Sequence, residues 1–440
     1  MAAGIPITKG DGPAITDGGP SLVQRWYVLI VMMLVYTINI ADRYVMSTVL
    51  EPIRVDLGLS DGQVAFLTGV SLALFYVTMG IPLSWVADRY NRRNLLSFSI
   101  AVWSLMTALC GMAVGYWQLL FARIGVGIGE AGGTPPCNTI VADYFPPDRR
   151  TMAMTVFALG APIGAWLGAD MAGKVAHAYG WHAAFYVLGV PGIMLALLIM
   201  TTIKEPPRGR FDAPQDGDAP DIITTLRFLW SQKAAVHTMM GSGLSALWGW
   251  GLMWFTPAFI ERTYGLPVGG GGGVLAPIHL IGGIGASLLT AWLFAQPSYT
   301  DPRKILRVLG VVTGLATVPS FVAYYTHSLE TARLMWWLFI PAIYFYIGPA
   351  FALGQNFAPP KMRAMFIAIS LLIANVFNLI VAPQAVGWMS DYFAGGGEPT
   401  AASLRMALLV LAPTGFWAAW HYWRAEALAV EDQKRAVGYV

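Results

Sequence analysis

Long apolar runs are the feature that most constrains this chain. A helix needs about 20 apolar residues to cross the hydrocarbon core of a bilayer, and the 440-residue sequence contains about twelve such runs. They lie near residues 25–50, 63–87, 94–114, 117–144, 150–175, 182–203, 227–258, 271–296, 303–326, 332–355, 360–386 and 401–424. Only 12% of the residues are charged, whereas soluble domains carry about 25%. We therefore predict an all-α, polytopic membrane protein.

The distribution of basic residues favours an even number of spans. With both termini on the cytoplasmic side, 20 of the 27 Lys and Arg residues fall on cytoplasmic segments and five on the opposite side. The remaining two, Arg43 and Arg123, lie within spans. Cytoplasmic loops carry an excess of Lys and Arg, and eleven or thirteen spans would reverse the later loops. Twelve spans with both termini cytoplasmic is the prediction.

One polar stretch, KEPPRGRFDAPQDGDAPD, divides the spans into two sets of six. Its Pro, Gly and Asp content is typical of a flexible linker and not of a folded domain. The predicted organisation is a cytoplasmic N-terminal tail (1–24), an N-terminal six-helix bundle (25–203), a cytoplasmic linker (204–226), a C-terminal six-helix bundle (227–424) and a cytoplasmic C-terminal tail (425–440).

The sequence offers no pattern for catalysis or cofactor binding. It has no GxxxxGK[ST] loop, no segment large enough for a soluble ATPase and no Ser-His-Asp arrangement. Its two cysteines, Cys110 and Cys137, lie inside apolar runs and indicate neither a disulfide framework nor a metal site. We therefore expect that the protein is not an enzyme and that it has no catalytic residues, no metal and no cofactor.

Four charged residues interrupt the apolar runs of the first half. Asp42 and Arg43 are adjacent in the first span, and Arg123 and Glu130 are seven residues apart in the fourth. Ionisable residues inside spans are rare, costly and usually functional. Seven residues place Arg123 and Glu130 on nearly one helix face, about 10 Å apart along the axis. These four side chains are candidate functional residues, although structural ion pairs between helices are the alternative interpretation.

The segment GIPLSWVADRYNRRN ends the second span with an acid and a basic cluster. Asp88 is followed by Arg89, Arg92 and Arg93 in a very short loop. A carboxylate at the membrane edge can pair with a basic residue or helix terminus of the neighbouring bundle and so act as a latch. The basic residues by themselves also fit a role as topology anchors.

This segment resembles the loop between helices 2 and 3 of the major facilitator superfamily. In that motif a glycine, three residues, Asp-Arg, one residue, a second glycine and a basic cluster recur. Ser84 stands at the first glycine and Asn91 at the second, and Asn tolerates a left-handed turn. The resemblance covers nearly the whole chain. It implies the major facilitator fold, two pseudo-symmetric six-helix bundles around a cavity that opens alternately to each side.

Three further segments, NIADRYV, DRYNRR and RIGVGIGEA, resemble the Spinster branch of that superfamily in order and spacing. This family includes exporters of lysophospholipids and sphingosine 1-phosphate, so the resemblance implies a lysolipid-type substrate and proton coupling. By carry-over, these four charged residues would be the functional charges of the cavity, and Asp88 would be the gate acid. Our own hypothesis is that Asp42 and Glu130 exchange protons and that Arg43, Arg123 and Glu130 bind substrate. Asp42 could pair with Arg123, and Arg43 could reach Glu130, but the sequence does not decide the partners.

The second half is aromatic and nearly free of intramembrane charge. Residues 247–259 and 335–351 are rich in Trp, Phe and Tyr, which suits either an apolar wall for a lipid tail or ordinary packing surface. His279 is interpreted as a packed, hydrogen-bonded residue. Asn375 and Asn378 are candidates for head-group contact or for hydrogen bonds between helices.

The expected function is proton-coupled export of a lysophospholipid or sphingosine-1-phosphate-like anion by alternating access. Deprotonated Glu130 would engage an arginine, and protonated Glu130 would release it to bind phosphate. The alternatives are a proton-coupled symporter of a small organic anion such as a sugar acid, and a non-transporting lipid sensor. We expect a lipid-like substrate, protons and the bilayer as partners, no nucleic acid, and a monomer in a bacterial inner membrane.

Overall fold

The computed structural model describes residues 20–211, 221–299 and 301–437. These residues form helices and connecting turns, and no β-strand occurs among them. The described helices group into twelve helical rods, the number that the apolar runs predict. The first six rods are α1 (Leu22–Thr48 and Leu50–Leu57), α2 (Asp61–Ala65, Phe66–Val70 and Ser71–Arg89), α3 (Arg92–Cys110), α4 (Tyr116–Glu130 and Thr134–Tyr144), α5 (Pro147–Ala158 and Gly160–Tyr179) and α6 (Trp181–Thr202).

A short linker helix, Ile222–Ser231, precedes the second set of rods. These are α7 (Lys233–Tyr264), α8 (Gly270–Pro277, Ile278–Gly282 and Gly283–Phe294), α9 (Pro302–Tyr325), α10 (Leu329–Phe345 and Ile347–Phe357), α11 (Arg363–Asn375, Val376–Val381 and Ala382–Phe393) and α12 (Ala401–Leu411 and Thr414–Val437). We call the end of the bundle that carries the linker the near end, and the opposite end the far end.

Within the described residues, nine helices are long and apolar enough to cross a membrane on their own. The other three rods have identifiable reasons for falling short. Rods α4 and α10 are each interrupted near their middle, while the unbroken α7 contains many Gly, Ser and Trp residues of low hydropathy. Interrupted helices are tolerated in membranes where neighbouring helices satisfy the backbone.

Rods α2 and α8, which occupy corresponding places in the two halves, both contain a π-helical turn. The turns span Phe66–Val70 and Ile278–Gly282, and a third lies at Val376–Val381 in α11. Such turns locally widen a helix and are frequent at functional sites. Their matching placement in α2 and α8 is consistent with two related halves.

Side-chain caps fix several helix starts. Ser60 and Gln63 form the capping box that their spacing predicts, with both reciprocal hydrogen bonds present. Asp221 caps the linker helix, and donation from the Thr224 hydroxyl and from backbone N–H groups lowers the pKa of its carboxyl. Each cap supplies acceptors for backbone donors that the first helical turn leaves unpaired.

The end of α12 extends into the predicted C-terminal tail. Residues 425–437 continue α12 as helix to Val437, because this stretch is rich in Ala and Glu, which favour helix. Ala425 and Ala429 are buried, and the Asp432 carboxylate accepts the backbone N–H of Ala234 at the start of α7. The end of α12 therefore docks on the C-terminal half. Most of the predicted N-terminal tail lies outside the described residues.

Candidate functional site

Arg43 of α1 and Glu130 of α4 form an ion pair. The Arg43 Nη2 and Nε groups both donate to Glu130 Oε2, at 2.7 and 3.0 Å. The Glu130 side chain is fully buried, whereas 13% of the Arg43 side chain is exposed. The Arg43 guanidinium also lies 5.3 Å from the ring centroid of Tyr76 in α2. The cation is thus the accessible partner, and the acid lies behind it.

Glu130 is bound through only one of its two carboxylate oxygens. Its Oε1 atom is buried and has no hydrogen-bond partner among the described residues. Leaving a buried acceptor unpaired costs roughly 1–3 kcal/mol, and more for a charged group. A proton on this oxygen would remove the negative charge, so the geometry suits Glu130 to proton uptake.

Asp42 and Arg123 form a second, more deeply buried pair between α1 and α4. Arg123 Nη1 donates to Asp42 Oδ2 at 3.4 Å, and the Thr107 hydroxyl of α3 donates to Asp42 Oδ1 at 2.6 Å. Arg123 Nε also donates to the Leu67 carbonyl in the π turn of α2, at 3.4 Å. Asp42 and Arg123 are each 1% exposed. This pair joins four rods, and the partners that the sequence left undecided are now assigned.

Glycines between Arg123 and Glu130 allow α4 to approach its neighbours. A Cβ atom at Gly127 would lie 2.4 Å from the Leu72 carbonyl oxygen of α2, and one at Gly129 would lie 2.6 Å from the Trp103 nitrogen of α3. Real Cβ atoms essentially never come this close to other heavy atoms. The glycine-rich segment therefore allows α4 to pack closely against α2 and α3 on either side of Glu130.

At the near end, Arg92 joins the loop motif to the base of α4 and to the linker. Its Nη1 donates to Asp143 Oδ2 at 2.6 Å and its Nε donates to Glu205 Oε1 at 2.8 Å. The Arg93 backbone N–H donates to Glu205 Oε2. Arg89 lies over the ring of Trp85. These contacts stay within the N-terminal half and the first linker residues.

The side chain of Asp88 lies outside the described residues, so its predicted role as a gate acid stays a prediction. Asp143 and Glu205, the acids that bind Arg92, were not identified from the sequence. The only sequence signal for them is their position near basic residues at a predicted membrane edge: Asp143 precedes Arg149 and Arg150, and Glu205 follows Lys204.

Sequence reasoning also missed an ionic cluster at the far end. Arg262, at the end of α7, donates to both carboxylate oxygens of Asp61 at the start of α2, at 2.7 and 2.8 Å. It also donates to Glu51 Oε2 at 2.6 Å. These bonds connect the two halves. Arg262 is one of five basic residues assigned to that side, where the positive-inside rule makes them uncommon.

The polar candidates of the second half lie apart from the charged pairs. The Asn378 side-chain oxygen accepts from Trp254 Nε1 at 2.9 Å, which favours its role as a bond between α7 and α11. Asn375 is half-buried and forms no side-chain hydrogen bond with the described residues. His279 Nδ1 is 2.9 Å from the Tyr344 hydroxyl, in agreement with a packed, hydrogen-bonded residue.

Within the described ranges, no group of three or more His, Cys, Asp or Glu residues is arranged to hold a metal ion. Cys110 and Cys137 are both free and buried.

The sequence profile of the Major Facilitator Superfamily matches residues 32–383. The chain belongs to this superfamily. It is 29% identical over 412 residues to an "MFS-type efflux pump" of Mycolicibacterium smegmatis, covering 92% of this chain and 93% of that protein. It is 25% identical to protein spinster homolog 1 of Xenopus tropicalis, covering 93% and 82%. A probable galactarate/D-glucarate transporter of Bacillus subtilis is 32% identical over 205 residues, about 45% of each chain.

A solved structure extends the similarity to three dimensions. The crystal structure of a bacterial homolog of the human lysosomal transporter Spinster, inward-facing and unoccupied, matches with a TM-score of 0.81 and 28% identity. The match covers 94% of this chain and 99% of that one. The protein is therefore a Spinster-like member of the major facilitator superfamily and an integral membrane protein with the transporter fold.

Proposed function

We propose that this superfamily member is a proton-coupled transporter of a lysophospholipid or a sphingosine-1-phosphate-like amphiphilic anion. The observation that carries the proposal is the unequal burial of the Arg43–Glu130 pair. The cation is partly exposed, while the acid is buried and keeps one oxygen unpaired. Arg43 can bind an anion and Glu130 can bind a proton, but only when the bonds between the two residues are broken.

The proposed exchange takes place at the Arg43 guanidinium. With Glu130 ionised, two N–H groups of Arg43 are bound to its Oε2 atom. Protonation of Glu130 neutralises this acceptor, and Arg43 becomes free to donate to a phosphate. Arginine binds phosphate in bidentate geometry, through charge-assisted bonds about twice as strong as neutral ones. The buried Asp42–Arg123 pair connects the same two rods, α1 and α4, and is proposed to assist proton transfer.

The exchange also sets the relative direction of proton and substrate. Since Glu130 must be protonated before Arg43 can bind the anion, proton and anion occupy the protein together and cross together. The anion then moves in the direction of the proton gradient, so export requires that the compartment holding the substrate is the more acidic one; across a bacterial inner membrane, where the cytoplasm is the less acidic side, the same coupling drives import. A flux assay with gradients of both signs tests this consequence directly.

We propose that aromatic residues of the second half form the apolar wall that contacts the lipid chain. Trp250 and Trp254 of α7 lie 6.3 and 6.2 Å from Tyr44, the neighbour of Arg43 in α1, measured between ring centroids. Such a surface favours an amphiphile over a small anion. The sugar-acid alternative is favoured by one observation, the similarity of half the chain to the galactarate/D-glucarate transporter. A lipid sensor without transport activity is the least supported, because the similar proteins are transporters and pumps.

Flux into proteoliposomes separates these functions. Purified protein is reconstituted, and uptake of labelled lysophosphatidate, sphingosine 1-phosphate and D-glucarate is measured with an acidic exterior, an acidic interior and no gradient. We expect gradient-dependent flux of a lysolipid in the direction of the proton gradient. Flux of glucarate alone would support the second candidate, and binding of lysolipid without flux would support a sensor.

A further inference from the structure

The two halves meet at the far end through a charged cluster that we call the far clamp. It consists of Glu51, Arg54 and Asp61 from the N-terminal half and Arg262, Asp391 and Glu398 from the C-terminal half. Arg54 Nη1 donates to Glu398 Oε2 at 3.1 Å, across the halves. Together with Arg262, it forms the ion pairs that the described side chains make between the halves.

Asp61 is the centre of the far clamp. It is fully buried, and both of its carboxylate oxygens accept N–H groups of Arg262. The Ser390 hydroxyl of α11 also donates to Asp61 Oδ2 at 2.6 Å. Three of the bonds to this one carboxylate therefore come from the opposite half. Removing a partner from a buried charge costs several kcal/mol in general, so these bonds are expected to break together.

Asp391 of α11 caps the N-terminus of α2, a helix that belongs to the other half. Its Oδ1 and Oδ2 atoms accept the backbone N–H groups of Asp61 and Gly62, both at 2.9 Å. Ser60, the capping residue of α2 itself, accepts the next free donor, the N–H of Gln63. A carboxylate at this position also interacts favourably with the positive end of the helix dipole. Parting the halves leaves the first turn of α2 without this cap.

Two glycines allow the halves to touch at the far clamp. A Cβ atom at Gly387 of α11 would lie 2.6 Å from the Asp61 carbonyl oxygen, and one at Gly62 would lie 2.8 Å from Asp391 Oδ2. The backbones are therefore in van der Waals contact with no space for an additional methyl group. Ion pairs, a helix cap and close backbone packing therefore all join the two halves at the N-terminus of α2.

We propose that the far clamp is the gate between the two halves at the far end, and that Asp61 must lose its bonds to Arg262 and Ser390, together with the cap that Asp391 supplies, before this end opens. The gate closes the far side in the present conformation. Its central residues, Asp61 and Arg262, are not part of the Arg43–Glu130 pair. The proposed gate therefore does not depend on which substrate the protein carries.

Thiol labelling from the far side tests the gate without a transport assay. Ser47 of α1 is 1% exposed, and its hydroxyl donates to the Trp254 carbonyl of α7, so Ser47→Cys places a reporter between the halves. Cys110 and Cys137 are buried in the N-terminal half and are replaced by serine if they label. Arg262→Glu, which repels Asp61 and Glu51, is expected to raise the labelling rate by at least about tenfold, and Asp61→Arg combined with Arg262→Glu is expected to restore slow labelling.

Matched changes control for charge and for volume. Arg307→Glu reverses a charge that pairs with Glu426 inside the C-terminal half and should leave labelling unchanged. Gly387→Ala should increase labelling, while Gly285→Ala, with no atom within 4 Å of the added carbon, should not. The proposal is overturned if folded Arg262→Glu protein labels at the parental rate, or if the charge-swapped double variant labels as fast as Arg262→Glu.

Discussion

Arg43 contacts Glu130 through a single carboxylate oxygen, Oε2, and the Oε1 atom of the same carboxylate is buried without a donor. A symmetric, bidentate pair would satisfy both oxygens and would resist protonation. The one-sided geometry instead leaves one buried acceptor unpaired, and this is the oxygen at which we propose that a proton binds.

Glu130→Gln should separate transport from the proton gradient. Glutamine is neutral like the protonated acid, so Arg43 is released permanently and binds the anion at any pH. We expect substrate binding within about threefold of the parent but gradient-driven accumulation reduced at least tenfold in proteoliposomes. Glu431→Gln, an exposed change near the end of α12, serves as the control. Undiminished accumulation in Glu130→Gln would exclude Glu130 as the proton carrier.

Thr107→Val should destabilise the buried Asp42–Arg123 pair. Valine keeps the shape of threonine but removes the hydroxyl that donates to Asp42 Oδ1 at 2.6 Å. Hydrogen bonds to charged groups contribute about 1.5–3 kcal/mol, so the apparent melting temperature in detergent should fall by several degrees. Thr78→Val removes an exposed hydroxyl that donates only to two carbonyls of the preceding turn of its own helix, so the melting temperature should change little.

Arg92→Ala should destabilise the near end more than Arg89→Ala. Arg92 is buried and binds Asp143 and Glu205, and its removal leaves Asp143 buried without its cation. Breaking a buried pair in this way costs about 3–5 kcal/mol, whereas exposed charges such as Arg89 contribute about 0–1 kcal/mol. Thermal unfolding in detergent measures both variants, and equal melting temperatures would contradict the structural role of Arg92.

Gly127→Ala should disturb the site from a distance. The added methyl group would lie 2.4 Å from the Leu72 carbonyl oxygen, so α4 must move away from α2 and carry Glu130 with it. We expect weaker lysolipid binding, by about tenfold, together with reduced stability. Gly273→Ala in α8 meets no atom within 4 Å, and should bind normally. Parental affinity in Gly127→Ala would show that α4 can move without disturbing the pair.

The charges inside the spans could be identified from the sequence because their cost in a membrane is a property of the residue type. Asp42, Arg43, Arg123 and Glu130 stand out against apolar runs wherever the helices pack. Which acid meets which base depends on helix rotation and on the glycine contacts of α4. The sequence therefore supplied the four residues and two compatible pairings, and the pairing of Asp42 with Arg123 required the packed bundle.

The far clamp could not be predicted for a related reason. Asp61 and Asp391 are 330 positions apart, and each looks like an ordinary loop or helix-end acid. The cap of α2 was predicted from Ser60 and Gln63, because a capping box is local, but a cap from the other half has no local pattern. Likewise, the contact between the end of α12 and the start of α7, in which Asp432 accepts the N–H of Ala234, has no local pattern in the sequence.

The far clamp contains more acidic than basic residues, and this excess affects dissolved anions once the two halves separate at the far end. Glu51, Asp61, Asp391 and Glu398 then face water with only Arg54 and Arg262 to balance them, so the open mouth carries excess negative charge. An anion that departs through it meets a repulsive field, which extends roughly 8 Å at physiological ionic strength. The return of a released anion to the open far end is thereby slowed.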